Sequence, residues 1–170
     1  HSVLDVGCGT GRLFPVYRQA GVERVLGIDI ASRALGIAKR LYPDFTTSHT
    51  RAERLETPEP FDAVVINRVP QHIDPLDLPD ALDRISQAAS KIIYVNEISE
   101  SERADLRGAH YMFDHDYVSL MSARGWVLAE KAIMPGTQQT YLVFKQGPAF
   151  RRADVTTQRP GALTSLRRSL

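Results

Sequence analysis

An acid, a glycine-dense turn and a second acid follow one another near the start of the chain. The apolar run Val3-Leu4-Asp5-Val6 stops at Gly7-Cys8-Gly9-Thr10-Gly11, and from Arg12-Leu13-Phe14 onward the pattern is helical, with Pro15 tolerated in the first turn. Glycines remove Cβ atoms, so the backbone can turn tightly and let a bulky ligand lie against it. N–H groups exposed at a helix start favour a carboxylate or another anion. Asp29 ends the next apolar run, Val25-Leu26-Gly27-Ile28. A carboxylate at a strand end can accept two hydrogen bonds from a ribose diol, although the same acid could cap the helix that follows. Ile30 beside it offers an apolar face to an adenine ring.

A dinucleotide-binding fingerprint would need glycine or alanine where this chain has Arg12. The spacing is instead Gly-x-Gly-x-Gly preceded by an acid. In this, Val3-Leu4-Asp5-Val6-Gly7-Cys8-Gly9-Thr10-Gly11 resembles the first motif of the class I S-adenosylmethionine-dependent methyltransferases, and the likeness runs to about Lys145. The resemblance implies S-adenosylmethionine as cofactor, held by the glycine loop (Gly7, Cys8, Gly9, Gly11), Asp29 and Ile30. It gives Asp5 a role at the methionine amine, with a buried, loop-fixing acid as the alternative. Arg51-Ala52-Glu53 occupies the stretch where many members have an acid followed by Ala-Glu, so Arg51 stands in the acid's place. The adenine amino group then needs Glu53 or a backbone carbonyl, while the Ala52 N–H could reach a ring nitrogen. Asn67 and Arg68, after the fourth strand, complete the expected cofactor set.

Asn67-Arg68-Val69-Pro70 has the asparagine of the Asn/Asp-Pro-Pro-aromatic motif of amino-group methyltransferases, but neither its paired prolines nor its aromatic. Nucleobase stacking loses its main support, and nucleic acid is not the expected partner. Gln71-His72-Ile73 resembles a segment of small-molecule methyltransferases in which the histidine lies near the sulfonium or the substrate. The stretch from His110 through Tyr111, Phe113 and Leu120 to Gly125-Trp126 resembles the type 11 and ubiquinone-biosynthesis-like branches, with its histidine on the substrate side. An oxygen or nitrogen nucleophile must lose a proton, and an imidazole titrates near neutrality. His110 and His72 are therefore the candidate bases, and the resemblance favours His110. No Cys/His cluster suggests a metal. Methyl transfer to a small molecule is the leading expectation; a degenerate cofactor-binding module acting as an interaction domain is the alternative.

Composition is that of an ordinary globular domain: 170 residues, 43% hydrophobic and 24% charged, with net charge +1. No run approaches the roughly 20 apolar residues of a membrane span. The single cysteine, Cys8, excludes an internal disulfide and fits a reducing cytoplasm. With no histidine or lysine near it in sequence, it is expected to be a packed residue rather than a nucleophile. Five arginines against Asp154 make residues 147–170 a basic extension to a methyltransferase domain over 1–146. The chain opens almost directly on a strand, where the family usually has helices that help close the cofactor site. Either the chain is trimmed, or an additional domain or a second copy is expected to cover that side.

Strands must place these residues at one edge. Apolar runs alternate with helical patterns, the signature of parallel βαβ units. Strands are expected at Ser2 to Val6, Arg24 to Ile28, Phe45 to Ser48, Ala63 to Ile66, Ile92 to Val95, Trp126 to Ile133 and Gln139 to Phe144. Helices are expected up to Ala20, from a Ser32 cap to Leu41, along Leu82, Ile85 and Ala89, and from Asp116 to Arg124. Glu97 to Arg107 reads as a surface loop or exposed helix. A short Pro135-Gly136 turn makes the last two strands antiparallel. The expected fold is α/β: a doubly wound, seven-stranded, mostly parallel Rossmann-like sheet with an antiparallel C-terminal hairpin. Its ligands should collect beyond the carboxyl ends of the strands.

Overall fold

The computed structural model describes residues 1–98, 115–134 and 139–147. Seven strands form one sheet: β1 (Ser2–Val6), β2 (Arg24–Asp29), β3 (Thr46–His49), β4 (Phe61–Asn67), β5 (Ala89–Ile98), β6 (Trp126–Met134) and β7 (Gln139–Gln146). Their order is β3-β2-β1-β4-β5-β7-β6. The first five strands pair in parallel, whereas β7 runs antiparallel to both β5 and β6. The order reverses between β1 and β4, so the connections leave a crevice above the carboxyl ends of β1, β2 and β4.

Four α-helices are described: α1 (Phe14–Gln19), α2 (Ser32–Leu41), α3 (Leu78–Ala88) and α4 (Tyr117–Ser122). Alternate residues of the central strands feed two cores. Leu4, Val64, Ile66 and Ile93 pack with Leu82 and Ile85 of α3, and Val3 packs with Phe14, Tyr17 and Leu35 on the opposite face. Being buried on both faces, β1 and β4 read as nearly unbroken apolar runs.

Three details differ from the sequence-based expectation. Ser32 is the first residue of α2 and makes no side-chain cap; the Asp29 carboxylate takes the Ala31 N–H at 2.7 Å instead. Ala89 begins β5 rather than closing α3: its backbone is extended, with ψ 138°, and it pairs with Phe61 of β4. Glu97, expected in an exposed segment, is a buried residue of β5. The Pro135-Gly136 turn and residues 148–170 lie outside the described residues.

Candidate active site

Above the crevice lies a cavity of about 290 Å³, lined by Gly7 just after β1, Asp29 at the end of β2 and Ile30 after it, residues 50–53 after β3, Asn67 at the end of β4, and Arg68, Val69, His72 and Ile73 beyond it. Asp29 organises one wall. Its Oδ2 accepts the Gly9 N–H at 2.8 Å and its Oδ1 accepts the Ala31 N–H, so a single carboxylate ties the glycine loop to the start of α2. A carboxylate has about four lone-pair sites, which leaves acceptor capacity towards the cavity. Ile30 beside it is 64% exposed, an aliphatic surface left at the cavity mouth.

The loop glycines divide by role. Gly7, Gly9 and Gly11 all have positive φ, the left-handed region that glycine occupies without a Cβ penalty. A Cβ on Gly7 would stand 2.0 Å from Val69 Cγ2, so the segment after β4 closes directly onto the loop. At Gly9 nothing lies within 4 Å of that position, which leaves open space for a ligand. Gly11 instead makes room for Phe14 and Tyr42. Cys8 faces the β2 strand: a Cβ on Gly27 would meet its Sγ at 2.7 Å. Burial, reinforced by the charges of Asp5 and Asp29, pushes the Cys8 thiol up to about 12, as suits a packed residue. Among the glycine-loop residues and Asp5, only Gly7 lines the cavity; Asp5, Cys8, Gly9 and Gly11 do not.

Asp5 lies beneath the loop at 1% exposure, and neither of its oxygens has a hydrogen-bond partner. Burial raises its pKa to about 7. The neighbouring Tyr17 phenol and Arg12 work against that rise, and the Asp29 charge adds to it.

Arg51 forms an ion pair with Glu53, and its other nitrogen stands 3.9 Å from Asp77. Burial works to raise the Glu53 carboxyl, but Arg51 outweighs it and holds the group below the usual range. Ala52 is buried in a 3₁₀ turn beside the pair and lines the cavity. After β4, Asn67 reaches the cavity while its Oδ1 accepts from Asn96 Nδ2 at 2.8 Å. Arg68 follows in the left-handed region, at φ 58°, with its N–H on the Asn96 carbonyl.

His72 lines the cavity from an exposed position, its Nε2 3.1 Å from the Nε2 of buried Gln71. The tautomer of the imidazole and the orientation of the Gln71 amide together set which of the two donates. His110, Tyr111 and Phe113 lie outside the described residues. The structure therefore brings Gly7, Asp29, Ile30, Ala52, Glu53, Asn67, Arg68 and His72 to one cavity. Sequence reasoning missed Gln71, Asn96 and Gly27. The last two carried a signal, a polar residue and a glycine each set within an apolar strand.

These residues fit an adenosyl amino acid. The Asp29 carboxylate with spare lone pairs and the aliphatic rim at Ile30 match a diol and a ring, and the open space at Gly9 allows a close backbone approach.

The sequence profile of the family described as methyltransferase domain matches residues 3–91. A comparison with curated proteins found no match. Among solved structures, the chain is similar to magnesium protoporphyrin IX methyltransferase from Synechocystis PCC 6803 with bound SAH, at TM-score 0.71 and 18% identity, covering 85% of this chain and 74% of that one. N-methyltransferase NodS from Bradyrhizobium japonicum WM9 gives TM-score 0.71 at 17% identity, covering 86% and 85%. A complex between the Haloferax volcanii Trm112 methyltransferase activator and a methyltransferase gives 0.73 at 15%, covering 86% and 82%. At these identities the likeness is one of fold.

Proposed function

Because the chain belongs to the methyltransferase domain family and has the class I S-adenosylmethionine-dependent fold, we propose that it methylates an oxygen or nitrogen of a small molecule. It is an enzyme, and S-adenosylmethionine is its cofactor. The observation that carries the proposal is Asp29, which anchors Gly9 and faces a cavity rimmed by Ile30. In this reading Asp29 takes the ribose hydroxyls, Ile30 and Ile73 flank the adenine, the Ala52 N–H meets its ring, and Asp5 faces the amino-acid ammonium.

When bound, the cofactor supplies a methyl group already activated by the sulfonium. The chain is left to position the acceptor, exclude water and take one proton. Positioning alone can lower a barrier by several kcal/mol. Gln71 stands 3.1 Å from Nε2 of His72, where it can orient the imidazole at the cavity.

Calorimetric titration with S-adenosylhomocysteine, S-adenosylmethionine and NAD tests the reading. Micromolar binding of the first two with none of NAD is expected; NAD binding alone would overturn it. A second reading, a cofactor-binding module that serves a larger assembly, draws on the Arg51–Glu53 pair, which ties up the acid nearest the adenine site. It predicts S-adenosylhomocysteine binding with no methyl transfer to any small acceptor.

A further inference from the structure

Three amides and a phenol form a ladder across the carboxyl edge of the sheet. Tyr141 donates its hydroxyl to Gln139 Oε1 at 3.1 Å, Asn96 Nδ2 donates to the same oxygen at 3.1 Å, and Asn96 Nδ2 also donates to Asn67 Oδ1 at 2.8 Å. Asn96 is 5% exposed, and its own Oδ1 has no partner. Turning every amide over would orphan a buried N–H instead, and unpaired buried donors are rarer than under-used carbonyls. The ladder therefore fixes Asn67 with its oxygen inward and its Nδ2 towards the cavity it lines.

Beside that donor stands Arg68. Two arginines line the cavity; Arg51 is neutralised by Glu53, whereas Arg68 has no ion-pair partner among the described residues. Its backbone sits at φ 58°, a conformation that strains a non-glycine residue and that glycine would adopt freely. An unneutralised guanidinium held in strained backbone, next to an amide N–H fixed by a buried ladder, is a built receptor for an anion of planar shape.

The geometry points to a carboxylate site formed by Asn67 Nδ2 and the Arg68 guanidinium, which binds a carboxylate of the methyl acceptor; this rests on the methyltransferase reading above. The ladder runs from β4 to β5 and β7, away from Asp29 and Ile30 on β2, and so supports the half of the crevice that the nucleoside leaves to the acceptor. The amino-acid tail of the cofactor carries the same group, and the experiment separates the two sources.

Benzoate and its neutral counterpart benzamide are titrated into ¹⁵N-labelled protein, with and without saturating S-adenosylhomocysteine, and the Asn67 side-chain amide and Arg68 Nε–H signals are followed. Benzoate is expected to shift both signals in either condition, and benzamide to leave Arg68 unmoved. Arg68→Gly relieves the strain, so its melting temperature should not fall, while the benzoate response weakens roughly tenfold or more, the scale of a lost hydrogen bond to a charged group. Asn67→Asp keeps the oxygen that Asn96 needs and replaces the donor with a charge, and should repel benzoate to the same degree. Equal responses to the two probes, no response to benzoate, or full response in both variants overturns the site. Displacement of benzoate by S-adenosylhomocysteine assigns the carboxylate to the cofactor and overturns the acceptor proposal. Failure of S-adenosylhomocysteine to bind overturns the methyltransferase reading instead, and the titration without it still judges the site.

Discussion

The carboxylate of Asp29 holds the amide of Gly9 at 2.8 Å, across twenty residues of sequence, and so couples the shape of the glycine loop to the end of β2. Its other oxygen holds Ala31. The acid that lines the cavity thus also shapes the glycine loop beside it.

Asp29→Ala should therefore lower both stability and affinity. Two backbone donors lose a charged acceptor, which costs about 1.5–3 kcal/mol for a hydrogen bond of this kind, and S-adenosylhomocysteine binding should weaken by a similar amount. Chemical denaturation and calorimetry on the same samples check this. Unchanged affinity with the fold preserved would remove Asp29 from the cofactor site.

Gly7 and Val69 make a steric pair. Gly7→Ala places a Cβ 2.0 Å from Val69 Cγ2 and forces an alanine to φ 76°. A loss of about 2–4 kcal/mol is expected, near the upper range for overpacking combined with backbone strain. Val69→Ala in the same chain removes the steric part and leaves the strain, so the double variant should recover part of the stability. Strict additivity of the two single changes in denaturant midpoints would show that the pair does not interact.

The central strands β1 and β4 were legible because their residues are buried on both faces and read as apolar runs; Ser2–Val6 was placed to the residue. Asp29 was legible from its place at a strand end. What escaped were relationships set by tertiary packing. Nothing local to Asn96 tells that it will join Asn67 and Gln139, since β5 meets β7 only after some forty residues of chain. The helix start near Ser32 is served by Asp29, three residues earlier, the capping role that the sequence offered as the alternative for that acid. Gly27 was read as part of an apolar run, while its reason is the close approach of Cys8 and Phe14.

Arg51→Ala should change little in stability, because its pair with Glu53 is half exposed on the arginine side. It frees the Glu53 carboxylate at the cavity, so S-adenosylhomocysteine affinity should hold or tighten by a few-fold. A loss of roughly tenfold or more in calorimetry would make Arg51 itself a ligand contact.

The last prediction concerns Asp5, whose folded pKa of about 7 stands above the ordinary carboxylate value of 3.8 because burial, helped by the Asp29 charge, outweighs the Tyr17 phenol and Arg12. Below about pH 4 the group is protonated in both the folded and unfolded chains and contributes nothing to pH dependence. Between there and pH 7 the folded chain retains a proton that the unfolded chain has released, so stability falls as pH rises, and the fall levels off above 7. At about 1.36 kcal/mol per pKa unit, the cost at pH 8 is up to about 4 kcal/mol. Asp5→Asn keeps the shape and removes the ionisation. The variant should match the parent near pH 4 and exceed it at pH 8, with the difference opening between the two. Denaturant unfolding of both proteins across that range measures it, since contributions from other acids cancel in the difference. If the cofactor's ammonium meets Asp5, saturating S-adenosylhomocysteine should raise the parent's stability at pH 8 more than the variant's. A stability difference that does not vary with pH would mean that Asp5 is not held protonated by burial in the folded chain.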